Sequence, residues 1–116
     1  MNIIIIDDES NARAALTGMI QENFPEITII GEAENLVTGV NLIKSMSPDL
    51  VLLDIEMPGH LGVDILDFFQ PEEINFEIVF VTAYNDYALR AFELAAVDYL
   101  LKPTRNEHFA KGRFLK

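Results

Sequence analysis

The 116-residue sequence contains no cysteine. That excludes disulfides, thiolate metal sites and cysteine nucleophiles, and it accords with a reducing cytoplasm. Long apolar runs are missing too: no segment approaches the roughly 20 residues needed to span a bilayer. Asn2 leads straight into Ile3–Ile6 with no basic stretch ahead of a longer apolar segment. No secretory signal is visible, so a cytoplasmic, non-membrane protein is expected. Positive charge is scarce, with 8 Lys and Arg against 19 Asp and Glu and a net charge of −11. Direct nucleic-acid binding, which needs basic residues against phosphates, is therefore not expected. The shortage is uneven: residues 1–101 hold 18 acids and 3 bases, whereas residues 102–116 hold 1 acid and 5 bases. The basic tail reads as a solvated helix face or the start of a linker. Internal repeats, low-complexity tracts and Gly/Ser linkers are absent.

What is present is a 50% hydrophobic composition in a chain sized for one domain with a packed core. Short apolar runs alternate with longer amphipathic stretches. The runs are Ile3–Ile6, Ile27–Ile30, Leu50–Leu53, Ile78–Val81 and Val97–Leu101. Runs this short, apolar on both faces, predict buried parallel strands. Between them, Ser10 is placed to cap a first helix with Ala12, Leu16, Met19, Ile20 and Phe24 inward. Asn35 is placed to cap a second, with Leu36, Val40 and Ile43 aligned. A short third helix is expected to carry Val63, Leu66 and Phe69, and a fourth, capped by Asp86, to carry Ala88, Leu89, Phe92 and Ala95. A fifth, from about Thr104, has poorly spaced apolar residues, and Gly112 weakens its interior. Five strands alternating with five helices predict an α/β, doubly wound five-stranded parallel sheet covered on both faces. Such sheets bind ligands beyond the carboxyl ends of their strands.

Four of the five strands end in polar residues at that edge: Asp7 and Asp8, Asp54, Thr82, and Lys102. Any one of them could be a turn residue or a helix cap. Four strand ends in agreement are harder to explain by turn chemistry. Clustered carboxylates repel one another and favour a cation, and oxygen-only ligands with water suit Mg²⁺. Lys102 adds a compact positive charge and Thr82 a hydroxyl. These are parts that phosphoryl transfer uses, and a carboxylate can be the nucleophile, forming an acyl phosphate. Gly59 and Gly62 lack the Lys-Ser/Thr ending of a nucleotide-binding phosphate loop, so the phosphoryl group is expected from elsewhere. His60 and His108 lack partners at ligand spacing.

The segments Ile6-Asp7-Asp8-Glu9, Leu53-Asp54-Ile55-Glu56-Met57-Pro58-Gly59, Val81-Thr82-Ala83 and Tyr99-Leu100-Leu101-Lys102-Pro103 together resemble a two-component response-regulator receiver domain over essentially the whole chain. The stretch from Thr82 to Pro103 is similar to receivers of the LytR/AlgR type, which usually precede a LytTR DNA-binding output domain; no such domain is in this sequence. The resemblance implies a flavodoxin-like sheet of order 2-1-3-4-5 and one receiver domain over residues 1–116. It implies Asp54 as phosphoacceptor, and Mg²⁺ held by Asp7, Asp8, Asp54 and the Glu56 backbone carbonyl, with Asp7 acting mainly through water. It implies Lys102 as the cation paired with Asp54 and then with the phosphoryl oxygens, Thr82 as the hydroxyl that bonds one of them, and Tyr99 as the aromatic switch. A cis Lys102–Pro103 bond is part of the pattern. The implied partner is a sensor histidine kinase, the implied association a homodimer through the fourth helix, fifth strand and fifth helix. The implied role is regulatory rather than enzymatic: a phosphoacceptor that assists its own phosphorylation and dephosphorylation. Thr104 and Arg105 depart from the family, which more often places an apolar residue after Pro103.

Two other functions use similar parts. A haloacid-dehalogenase-like phosphatase also has an Asp nucleophile, Mg²⁺, Thr/Ser and Lys. Its nucleophile, however, sits on the first strand with a second Asp two residues on, where this chain has Glu56. A pseudo-receiver would keep the fold and act only as a protein-binding module. Glu9 reads as a first-turn helix residue favoured by the dipole rather than as a ligand, and Met57-Pro58-Gly59 as a turn.

Overall fold

The computed structural model describes residues 1–57, 59–82 and 98–101. The expected fourth and fifth helices lie outside them, as do Lys102 and the Lys102–Pro103 bond. Five strands form one sheet: β1 (Asn2–Ile6), β2 (Thr28–Ala33), β3 (Leu50–Leu53), β4 (Glu77–Thr82) and β5 (Asp98–Leu101). Their order is β2-β1-β3-β4-β5, and every pairing is parallel. Two α-helices are described, α1 (Ser10–Asn23) and α2 (Leu36–Met46).

Ile3–Ile6 of β1, Leu50–Leu53 of β3 and Ile78–Val81 of β4 are apolar on both faces because both faces of the sheet are covered there. Ile3, Ile5, Leu50, Leu52, Val79 and Val81 pack with Leu16 and Ile20 of α1. Their neighbours Ile4, Ile6, Val51, Leu53, Ile78 and Phe80 point the other way and pack with Leu36, Val40 and Ile43 of α2. Each fully buried side chain of this size contributes roughly 1.5–3 kcal/mol. Close approach of α2 to β1 depends on Gly39, where a Cβ would come within 2.8 Å of Ile6 Cγ1.

β2 holds an irregularity that its sequence did not announce. Ile3 pairs with Ile29, but Ile4 pairs with Gly31, so Ile30 is an extra residue without an opposite number. Ile29 packs on the α1 face and Ile30 on the α2 face. Gly31 then faces α2 again, nearest to Leu42 and Met46. The side-chain alternation is thereby inverted downstream, and Glu32 falls on the α1 side. The strand also runs on to Ala33, beyond the end expected near Gly31, because the Ala33 carbonyl accepts the Asp7 amide at 3.0 Å.

Helix starts differ in chemistry. Asn35 caps α2 as expected: its side chain accepts the Thr38 amide at 2.8 Å. Asn35→Ala is expected to cost about 1 kcal/mol, read as a lower urea midpoint at unchanged slope. At α1 the expected cap fails. Ser10 is already the first helical residue, and Glu9 occupies the N-cap position without a side-chain cap bond. The reason lies one turn earlier: the Asp7 carboxylate takes the Glu9 amide at 2.9 Å, a local turn that sets where the helix begins.

After β3 the chain forms a short antiparallel hairpin, Glu56–Met57 with His60–Leu61. Gly59 takes φ +87°, the left-handed backbone that glycine allows at such a turn. The expected third helix is a 3₁₀ segment, Gly62–Phe68. Gly62, Ile65 and Phe69 are buried in and beside it, whereas Leu66 of the expected row and Phe68 are only partly buried. A second 3₁₀ turn follows at Pro71–Glu73. Near it Lys44 of α2 lies 5.2 Å from the Phe69 ring centre and 4.0 Å from Glu73, tying the helix to this segment. No helix among the described residues is long and apolar enough to cross a membrane.

Candidate acidic site at the carboxyl edge of the sheet

Sheet register brings the acidic strand ends together. Ile6 of β1 is in register with Leu53 of β3, and Leu53 with Phe80 of β4. Asp7 and Asp54 therefore leave neighbouring strands at the same level. The Asp54 amide donates to the Ile6 carbonyl at 2.9 Å, and the Asp7 amide to Ala33. Both side chains are buried, at 1% exposure for Asp7 and 5% for Asp54, whereas Asp8 and Glu9 are exposed. Asp7, Asp8, Glu9 and Asp54 each offer a carboxylate oxygen, all within 4.8 Å of one another.

Four carboxylates this close are mutually repulsive unless a cation joins them. The donor set is oxygen only, and its exposed members leave room for water. Hard divalent ions such as Mg²⁺ suit those two properties, and soft-ligand metals do not. Glu9 is the member that sequence reasoning set aside. Its nearness to Asp7 and Asp8 at a strand end was the available signal, and the turn that places it at the helix start also turns it toward the cluster.

The other expected site residues are placed less completely. Thr82 ends β4 and is in register with Leu101 at the end of β5. Lys102 is the next residue and lies outside the described ones. Tyr99 is in β5, in register with Phe80. Glu56 opens the hairpin two residues after Asp54 and pairs with Leu61.

The backbone around Asp54 is supported from below by Gly62. Its amide donates to the Ile55 carbonyl. A Cβ at this position would strike the Asp54 carbonyl oxygen and come within 3.0 Å of Ile55 Cα. Backbone atoms give way less readily than a side-chain end. Gly62→Ala is therefore expected to lose about 1–3 kcal/mol and to shift the Asp54 amide resonance. Gly18, in open space on α1, supplies the control of opposite sign: Gly18→Ala should gain about 0.5–1 kcal/mol. Thermal unfolding of the two variants checks both.

Comparison with known proteins gives these carboxylates a context. A 45% identical response regulatory protein from Vibrio cholerae matches 96% of this chain, and the match spans 46% of that protein. The transcriptional regulatory protein BtsR of Escherichia coli is 42% identical over 89% of this chain and 42% of its own length. The chain thus spans under half the length of these curated relatives. Among solved structures, the response regulatory domain of mrkE from Klebsiella pneumoniae superposes with a TM-score of 0.82 at 30% identity, covering 94% of this chain and 88% of that one. A LuxR-family DNA-binding response regulator from Staphylococcus aureus gives a TM-score of 0.84 at 27% identity, over 95% and 92% of the two chains. The sequence pattern of the response regulator receiver domain matches residues 3–111, from β1 through both aspartate-bearing strand ends. With a parallel sheet of the receiver order and acids at its carboxyl edge, the chain belongs to the response regulator receiver domain family.

Proposed function

We propose that residues 1–116 form a phosphorylation-switched receiver in which Asp54 takes a phosphoryl group from a sensor histidine kinase. The observation that carries this reading is the convergence of Asp7, Asp8 and Asp54 at one sheet edge in a chain of this family. The Asp54 carboxylate oxygen attacks phosphorus, the bond from phosphorus to the donor's imidazole nitrogen breaks, and an acyl phosphate results. Mg²⁺, when bound, neutralises charge on the phosphoryl oxygens. Asp7, Asp8, Asp54 and the Glu56 carbonyl would hold it, Asp7 mainly through water. Lys102 supplies the second positive charge, and Thr82 donates its hydroxyl to a phosphoryl oxygen.

The phosphoryl group adds about −1.5 to −2 charge and strong acceptor oxygens. Lys102 and Thr82 engage those oxygens only once they are there, so the two states differ in interaction energy, as a population shift requires. Thr82 and Tyr99 are assigned the relay toward the face built by the fourth helix, β5 and the fifth helix, where a homodimer would form. The chain works as a phosphoacceptor in the cytoplasm and not as an enzyme acting on separate substrates. Its output is proposed to be transcriptional, through a LytTR-type DNA-binding domain, the receiver itself making no nucleic-acid contact.

Incubation with acetyl phosphate and Mg²⁺, followed by intact-mass measurement, tests the reading. A single acid-labile adduct is expected, with a matching change in amide resonances when beryllofluoride is added. Steady hydrolysis of phosphate esters would mean a phosphatase instead. No adduct and no beryllofluoride response would leave only a protein-binding module.

A further inference from the structure

Arg13 occupies an unusual place for a cation beside an acidic cluster: it is bonded to the backbone rather than to the clustered carboxylates. Its Nη1 donates to the Asp7 main-chain carbonyl at 2.6 Å, while its Nε lies 3.3 Å from Glu32 Oε1 on β2. The side chain is only 19% exposed. Its own amide donates to the Glu9 carbonyl at 3.1 Å, so Arg13 closes the first turn of α1. One residue thereby joins the helix, the loop that carries Asp7 and Asp8, and the sheet edge.

We infer that Arg13 is a positioning residue for the carboxylates, holding the Asp7–Asp8 peptide through the Asp7 carbonyl while Glu32 fixes the guanidinium. The inference rests on the reading of the acidic cluster as a divalent-cation site. Three features support the role. The Asp7 carbonyl begins the peptide that leads to Asp8, so fixing it fixes where the exposed Asp8 side chain starts. The planar guanidinium can serve a carbonyl and a carboxylate with different nitrogens, which a lysine ammonium cannot do in the same geometry. And the irregularity at Ile30 leaves Glu32 opposite Ile5, whose side of the sheet is the one that α1 covers.

The inference makes a prediction whose sign opposes simple electrostatics. Removing a positive charge near a cation site should tighten cation binding if charge were all that mattered. Loss of an outer partner that orients the ligands should weaken it, by about 10-fold or more. Titration of the metal-free protein with Mg²⁺ by calorimetry is the test. Arg13→Ala is expected to weaken Mg²⁺ binding about 10-fold. Arg13→Lys keeps the charge and most of the stem, so it should fold, and it is expected to weaken binding as well. In the metal-free protein, hydrogen exchange at the Glu9 amide should quicken in both variants, since the Asp7 carboxylate that holds it is no longer fixed. In a double-mutant cycle, Glu32→Gln should add little to Arg13→Ala, because the two act as one unit. Unchanged or tighter Mg²⁺ binding in Arg13→Ala, or wild-type affinity in Arg13→Lys, overturns the inference. Absence of Mg²⁺ binding by the wild-type chain would instead bring down the metal reading on which it rests.

Discussion

Asp54→Asn is expected to lose the phosphoryl adduct entirely. The amide matches the carboxylate in shape, so the 5% exposed site should keep its packing, but the amide is not a nucleophile toward phosphorus. The substitution also removes one of four carboxylates lying within 4.8 Å of one another. Without divalent cations the variant should therefore unfold at a higher temperature than the wild type, since like charges at this spacing oppose folding. With Mg²⁺ added the order should narrow or invert, because the wild type gains more from an ion that binds its folded state. Intact mass after acetyl phosphate treatment and paired melts with and without Mg²⁺ read both effects. A persistent adduct in Asp54→Asn would move the acceptor elsewhere. A melt insensitive to Mg²⁺ in both proteins would remove the metal from the account.

Phe80→Ala should carry the largest stability loss. Phe80 is fully buried in β4, between Leu53 of β3 and Tyr99 of β5 in register, and among the described residues it is the largest fully buried side chain. Truncating a buried phenylalanine costs about 3–5 kcal/mol, a large share of the roughly 5–15 kcal/mol that holds a domain together. The damage should reach beyond stability, because β4 delivers Thr82 two residues later. Chemical denaturation should show a lower midpoint. Phe80→Leu, which refills much of the volume, should recover more than half of the loss. A loss under about 1 kcal/mol would mean that neighbouring side chains close the space.

Much of the site could be read from residues alone, because its information is local and periodic. Apolar runs such as Ile3–Ile6 and Leu50–Leu53 marked buried strands, and the acids that follow them marked one sheet edge. Asn35 announced a cap through its own side-chain chemistry. The misses have tertiary causes. Ser10 looked like a cap, but the turn in which the Asp7 carboxylate accepts the Glu9 amide starts the helix one residue earlier, with Glu9 at the N-cap. The third helix tightened to 3₁₀ over a segment whose first residue must fit beneath the Asp54 carbonyl. The part of the third-helix row predicted at Leu66 yielded to Ile65, which is fully buried. Arg13 carried no motif signal, because its partners are a main-chain carbonyl and an acid on a strand far along the chain.

The extra residue in β2 gives that strand a phase. Ile29 and Ile30 are chain neighbours of nearly equal chemistry that serve opposite helices, and everything from Gly31 to Ala33 is read in the shifted frame. Straightening the strand with all of its residues kept would send Glu32 to the apolar α2 side and Ala33 to the side of Arg13, whereas deleting Ile30 would leave both opposite Ile5 and Ile6 on their present sides. A gap of one position at this point, when related chains are aligned, is therefore a change of length that keeps every partner. A relative without the insertion would have to carry its acid one position earlier along the strand to reach the same arginine.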